Sequence, residues 1–256
     1  MGSKMNIIFW CEFPKDVDFV KLNKLIDFNT EIYFAISSLR EFNSIKKRIR
    51  NKRIEIGAWP ILKRKEGYWF SGFSDKKNID KLDEFNKLKV KIDIEPPIYK
   101  GKHSLIKDFF WIAKNILIKG KNNNYLKERA DKLNFEPIFS GFLLPRFLRT
   151  RYGDDFYNGK KNYMCYTTFV PRIFRGILRF ILINIVKGMS KNNYYAIGLL
   201  NNGIFGNEPE YENINEFKKD IEMMKRAGVR NLCIYSIEGI LKRKDAKKWL
   251  RTIKSN

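Results

Sequence analysis

A single-domain α/β fold, a parallel (β/α)8 TIM barrel, is predicted by three observations on this chain of 256 residues. Eight short apolar runs are spread along it. Helical patterns separate them, so strand and helix alternate eight times. The mean repeat is roughly 32 residues, close to the ~30 residues of one βαβ unit, and eight such units fill the ~250 residues of a closed barrel. A doubly wound open sheet is the runner-up. It would need a phosphate-binding glycine turn after an early strand, and no G-x-G-x-x-G occurs.

The elements follow in order. A strand at 6–13 precedes an amphipathic stretch at 17–28. A second strand at 31–37 precedes a basic helix at 39–51. A third at 53–62 leads into an aromatic loop, Gly67-Tyr68-Trp69-Phe70-Ser71-Gly72-Phe73, and a helix at 79–88. The fourth, at 89–95, stops at Pro96-Pro97, because proline cannot continue a ladder. Helices at 104–118 and 123–133 precede the fifth strand, 135–142. The stretch from 143 to 161 reads as irregular and basic. A sixth strand at 163–169 is followed by a largely apolar helix at 173–189. The seventh, 194–200, ends in Asn201-Asn202-Gly203. A helix at 215–227 stops at Gly228, and a strand at 231–237 and a helix at 244–253 complete the pattern. Met1-Gly2-Ser3-Lys4 read as an expression remnant, leaving 5–256 as the barrel, and no secretory leader is read at its start.

Composition narrows the function classes. The chain is 44% hydrophobic and 15% aromatic, enough for a sizeable core. Its 51 Lys and Arg outnumber 28 Asp and Glu, a net charge of +23. Such a surface attracts anionic polymers or lipid. No recognition motif accompanies the charge, so no specific nucleic-acid binding is expected, and the richness in Lys, Ile and Asn reads as composition bias. Cys11, Cys165 and Cys233 sit inside apolar runs without zinc-site spacing and read as reduced, buried hydrophobes of a cytoplasmic protein. A single histidine, His103, excludes a multi-histidine metal site and disfavours a Ser–His pair. No run reaches the ~18 uninterrupted apolar residues of a membrane span. The closest, 173–189, reads either as a helix packed on the barrel or as one lying on a membrane surface or in an oligomer contact.

Barrel chemistry sits at the C-terminal strand ends. Strand four ends Asp93-Ile94-Glu95. Side chains alternate faces along a strand, so Asp93 and Glu95 share one face, a costly placement without a purpose or a basic partner. Glu12 ends strand one and Glu238 ends strand eight. Those strands are neighbours in a closed barrel, so the four acids are expected at one mouth. Trp10, Trp59, Tyr68 and Trp69 are candidate faces for a sugar ring, Met164 and Tyr166 lie on strand six, and Asn201 ends strand seven. Carboxyl groups in such company fit glycosidic hydrolysis, with crowding keeping one of them protonated as the acid.

Asp93-x-Glu95 at the end of strand four, with Met164-x-Tyr166 on strand six, resembles the chitinase-type glycoside hydrolases of family 18, as does the glycine-containing third strand at 53–59. The resemblance implies that Glu95 protonates the glycosidic oxygen, that Asp93 orients the substrate acetamido group that acts as nucleophile, and that Tyr166 hydrogen-bonds this group. Departures are visible. Lys91 and Leu88 stand where that family has further aspartates, Thr167 follows the strand-six tyrosine, and Glu55-Ile56-Gly57-Ala58 replaces Ser-x-Gly-Gly. A pattern with acids on strands four and seven fits poorly, since strand seven ends in Asn201 and Glu208 lies well into its loop.

No cofactor is required by this chemistry. Alternatively, Glu12, Asp93, Glu95 and Glu238 could hold Mg²⁺ or Ca²⁺ in a phosphodiesterase-type barrel. A barrel that binds a glycan without turnover, and a protein that works at a membrane surface, are the other two readings.

Overall fold

Eight parallel strands with helices between them form a nearly closed barrel in the computed structural model, which describes residues 5–98, 114–115, 117–154, 159–206 and 208–254. They are β1 Asn6–Cys11, β2 Thr30–Ile36, β3 Ile54–Pro60, β4 Lys91–Asp93, β5 Ile138–Phe142, β6 Lys160–Met164, β7 Tyr194–Ile197 and β8 Asn231–Tyr235. Their order is β3-β2-β1-β8-β7-β6-β5-β4. A parallel bridge between Ala58 and Val90 brings β3 to β4, so the first and last strands of that order meet as a (β/α)8 TIM barrel requires.

The chain divides into two compact units, residues 1–34, 44–56 and 163–256, and residues 35–43 and 57–162. In the first unit Trp10 lies opposite Tyr33 and Tyr235, and Phe9 opposite Ile32 and Ile234. Because side chains alternate, Ile8, Trp10, Tyr33, Cys233 and Tyr235 share one face, and Phe9, Ile32, Phe34 and Ile234 the other. The second face receives helices. Phe34 stacks 6.1 Å from Phe19 of helix Phe19–Leu25, and Phe9 lies 6.4 Å from Phe28. Asp18 caps that helix by accepting the Lys21 N–H, and Asn213 caps helix Ile214–Arg226 by accepting from Asn215 and Glu216. Gly228, at φ 77°, ends the latter in the left-handed conformation that glycine adopts without strain.

In the second unit Lys91 lies opposite Ile138 and Asp93 opposite Ser140. Lys91, Asp93 and Ser140 therefore share one face, while Val90, Ile92 and Ile94 bury the other. The strand pairing ends at Asp93 because the next partner is the aromatic loop. Ile94 bridges Phe70, and the Glu95 N–H donates to the Phe70 carbonyl at 3.1 Å.

Several elements differ from their sequence expectation. β6 begins at Lys160, earlier than 163, and its two lysines are neutralised there by Glu136 and Asp154. Residues Thr167–Phe169 form a 3-10 turn rather than strand, since the Thr167 and Thr168 hydroxyls bond Asp220 and the Gly198 carbonyl. Glu238 does not end a strand. It lies in the first turn of an unexpected helix, Ile237–Lys242. The helix expected at 79–88 is a short α-turn, Lys76–Ile79, followed by a 3-10 segment, Asp80–Phe85. His103 and most of the helix expected at 104–118 lie outside the described residues. Cys11, Cys165 and Cys233 are buried and form no disulfide. Among the described residues, no helix is long and apolar enough to cross a membrane.

Candidate active site

Period-two alternation along β4 puts Lys91 and Asp93 on one face, and Glu95 follows two residues beyond them. Lys91, Asp93 and Glu95 are 2%, 3% and 4% exposed. Lys91 Nζ lies 2.5 Å from Asp93 Oδ1 and 3.3 Å above the centre of the Trp59 ring. Burial raises the Asp93 carboxyl above its ordinary value. Lys91, the Ser140 hydroxyl and the Trp59 indole pull in the opposite direction. Ser140 in turn accepts from Asn162 Nδ2 at 3.0 Å, so a polar relay runs from β6 through β5 to β4. The ammonium is thus shared between a carboxylate and an aromatic face, the two surroundings that can hold a cation away from water.

Glu95 lies just past the end of β4, its N–H bonded to the Phe70 carbonyl. Its electrostatic neighbourhood includes Tyr152, whose phenol is raised first by burial and then by the charges of Asp154 and Glu95. Asp154 is buried between Arg149 Nη1, at 3.1 Å, and Lys161 Nζ. Gly141 on β5 makes room for it, because a Cβ there would lie 2.5 Å from Asp154 Oδ2. Tyr68 and Trp69 pack edge to face at 5.6 Å, both nearly buried. A cleft of about 400 Å³ in this unit is lined by Lys119, Asn124, Lys127, Phe147, Thr150 and Arg151, and contains none of the expected site residues.

A second acid cluster lies in the first unit. Glu12 follows β1 and accepts a hydrogen bond from the Tyr235 hydroxyl. The Tyr235 ring stacks on Tyr166 at 6.0 Å, and Trp10 packs edge-on to Tyr33 at 5.4 Å. Met164 closes β6 two residues before Tyr166. Glu238 Oε1 accepts from the backbone of Glu12 at 3.0 Å, from Phe13 at 3.3 Å and from Asn201 Nδ2 at 2.9 Å. Its carboxyl is raised by burial, against which Ser236 and the backbone donors act. Burial likewise pushes the Cys11 thiol beside it well up. Glu238 therefore ties the end of β1 to the loop after β7.

The structure thus brings Asp93 and Trp59 together in one unit, with Glu95 near Tyr152 in the same unit, and Glu12, Glu238, Asn201 and Tyr166 in the other. Lys91, Ser140, Asn162, Asp154 and Tyr235 join these clusters without having been singled out in the sequence as site residues. Parity along β4 could have found Lys91. Ser140 and Asn162 depend on the register between strands, which local sequence does not carry. Among the described residues, no group of three or more His, Cys, Asp or Glu could hold a metal ion, so the metal-dependent alternative finds no ligand set there.

No protein-family model matches the sequence, and no curated protein matches it. Solved structures do. The chain is similar to the PgaB (BpsB) glycoside hydrolase domain from Bordetella bronchiseptica, with a TM-score of 0.62 and 10% identity over 97% of this chain and 98% of that one. It is also similar to a glycoside hydrolase family 18 N-acetylglucosaminidase from Paenibacillus barengoltzii, with a TM-score of 0.50 and 10% identity over 99% and 100% of the two chains. At these identities the likeness is one of fold: the barrel is of the kind these glycoside hydrolases use.

Proposed function

We propose that the protein hydrolyses a glycosidic bond, with Glu95 as general acid and Asp93 as its charged partner. The observation that carries this reading is the end of β4, where Asp93 lies beside Trp59, and Asp93 and, two residues on, Glu95 are both buried. In this reading Glu95 donates its proton to the leaving alcohol, the role of the general acid in glycosidic hydrolysis. Asp93, paired with Lys91, supplies the standing negative charge. The positive charge that develops on the sugar ring in the transition state is stabilised by such a carboxylate. The shared fold supports a carbohydrate substrate, and the Paenibacillus enzyme makes aryl N-acetylglucosaminides the first compounds to offer.

Purified protein screened against chromogenic aryl glycosides and oligosaccharides tests this. Glu95→Gln is expected to reduce turnover by a factor of about 10² or more, the usual worth of a positioned acid, with an unchanged circular dichroism melt. Retained turnover in that variant would overturn the assignment of the acid.

A second reading is a glycan-binding barrel without turnover. It is favoured by the Lys91–Asp93 ion pair, which engages the carboxylate that the chemistry would use. Oligosaccharide binding by calorimetry, with no hydrolysis by the wild type or Glu95→Gln, would select it.

A further inference from the structure

Helix Arg175–Lys187 turns Arg175 and Arg179 inward and leaves a stripe of apolar side chains outward. Arg175, Leu182 and Val186 face the unit, while Ile173, Ile177 and Phe180 are 80%, 62% and 69% exposed, and Ile181 and Ile185 lie beside them. The exposed positions recur at intervals of three and four, so they form one stripe along the helix and the turn before it. The buried side is fixed by ionic and hydrogen bonds. Arg179 Nε donates to Asp220 Oδ1 at 2.6 Å, and its Nη2 to Glu216 Oε2 at 2.9 Å. Asp220 also accepts from Thr167 at 2.6 Å and Tyr211 at 2.5 Å. Arg175 donates to the carbonyls of Val170 and Thr168. This staple sets the rotation of the helix, so the outward stripe is built in. A contiguous apolar patch of this kind marks an interaction surface.

Charge decides what covers it. Residues 156–207 contain no Asp or Glu, and seven Lys and Arg. Of these, Arg172 precedes the stripe, its exposed guanidinium 3.7 Å from Glu212, and the exposed Lys187 and Lys191 follow it. A second copy packed symmetrically on the stripe would bring cationic ends together, on chains that each carry +23. An anionic lipid surface has the opposite charge and an apolar interior. The helix is 13 residues long, too short to span a bilayer.

We propose that this helix seats the protein on anionic lipid, lying in the interface plane. Ile173, Ile177, Phe180, Ile181 and Ile185 enter the acyl boundary, and Lys187 and Lys191 meet the headgroup phosphates.

Co-sedimentation at low salt, with vesicles of phosphatidylcholine alone and with about 30% phosphatidylglycerol, tests the proposal. The wild type is expected to bind the anionic vesicles roughly tenfold or more tightly than the neutral ones. Ile177→Ser/Phe180→Ser removes exposed apolar side chains, so its thermal melt is expected to be unchanged and its binding roughly tenfold or more weaker. Lys187→Glu/Lys191→Glu is expected to lose the preference for anionic vesicles. Three results would overturn the proposal: wild type left in the supernatant with anionic vesicles, binding unaffected by the serine substitutions, or a wild-type dimer in analytical ultracentrifugation that those substitutions make monomeric.

Discussion

Lys91 is the residue whose removal says most about the second unit. It is buried on the same strand face as Asp93, and the two satisfy each other. Taking away one member of a buried ion pair leaves the other charge uncompensated, which costs about 3–5 kcal/mol. Lys91→Met is therefore expected to lose roughly 3 kcal/mol in urea unfolding at neutral pH. The sign of its pH dependence follows. Without its counter-ion, the folded-state value of Asp93 moves further above its unfolded value of 3.8, so the folded protein holds a proton that the unfolded chain has lost. Stability of the variant should fall as pH rises from about 4 towards neutrality, relative to wild type. Lys91→Met/Asp93→Leu should recover most of the loss, since neither charge then remains. A variant as stable as wild type at neutral pH would show that the pair contributes nothing. The need for a basic partner was legible in the sequence, because two acids on one apolar strand face require one. Parity along β4 also puts Lys91 on that face, although in the sequence it stands out only as a departure from the family pattern. The roles of Ser140 and Asn162 were not, because they enter through pairing with β5 and β6.

At the scale of elements, the alternation of apolar runs located all eight strands, and the main errors occur where polar residues do structural work inside a turn or strand. β6 starts on Lys160 and Lys161, which read as loop until Glu136 and Asp154 supply their counter-charges. Glu238 read as a strand end, yet it lies in a helix whose close approach is permitted by Gly239, where a Cβ would sit 2.2 Å from the Leu200 carbonyl. The loop after β7 yields a prediction of its own. Glu208 folds back to accept from the backbone N–H groups of Phe205 and Ile204, and its carboxyl almost touches Gly203. Burial pushes it from 4.5 up to about 7, with the two N–H donors pulling the other way. Between those pH values the folded protein holds a proton that the unfolded chain has released, so stability falls as pH rises through the window. The shift corresponds to roughly 3 kcal/mol, fully lost above about pH 7. Glu208→Gln keeps an acceptor for the N–H groups and removes the titration. It should match wild type near pH 4.5 and be more stable near pH 8 in chemical unfolding. Equal stabilities at both pH values would mean that the carboxyl ionises freely in the loop.

At the scale of the whole molecule, strand-helix alternation made the barrel legible before any contact was known, because only a few topologies accommodate eight βα repeats in this length. The charge of +23 was equally plain, but its physical consequence depends on where counter-charges lie. Some buried carboxylates are taken up in ion pairs, Asp220 with Arg179 and Asp154 with Arg149, which salt hardly screens. Exposed pairs such as Lys254–Asp27 and Lys132–Glu128 contribute little each. The remaining cations repel one another across the surface, and this self-repulsion disfavours the compact state. Its range is the Debye length, about 30 Å at 0.01 M salt and about 8 Å at 0.15 M. Sodium chloride added over that interval should raise the melting temperature, by about 2–4 °C for each kcal/mol of repulsion removed in a chain of this size. Scanning calorimetry at fixed pH measures it. A melting temperature that falls with salt would mean that attractive surface pairs outweigh the excess positive charge. One that does not move would mean the cations lie too far apart for their repulsion to matter.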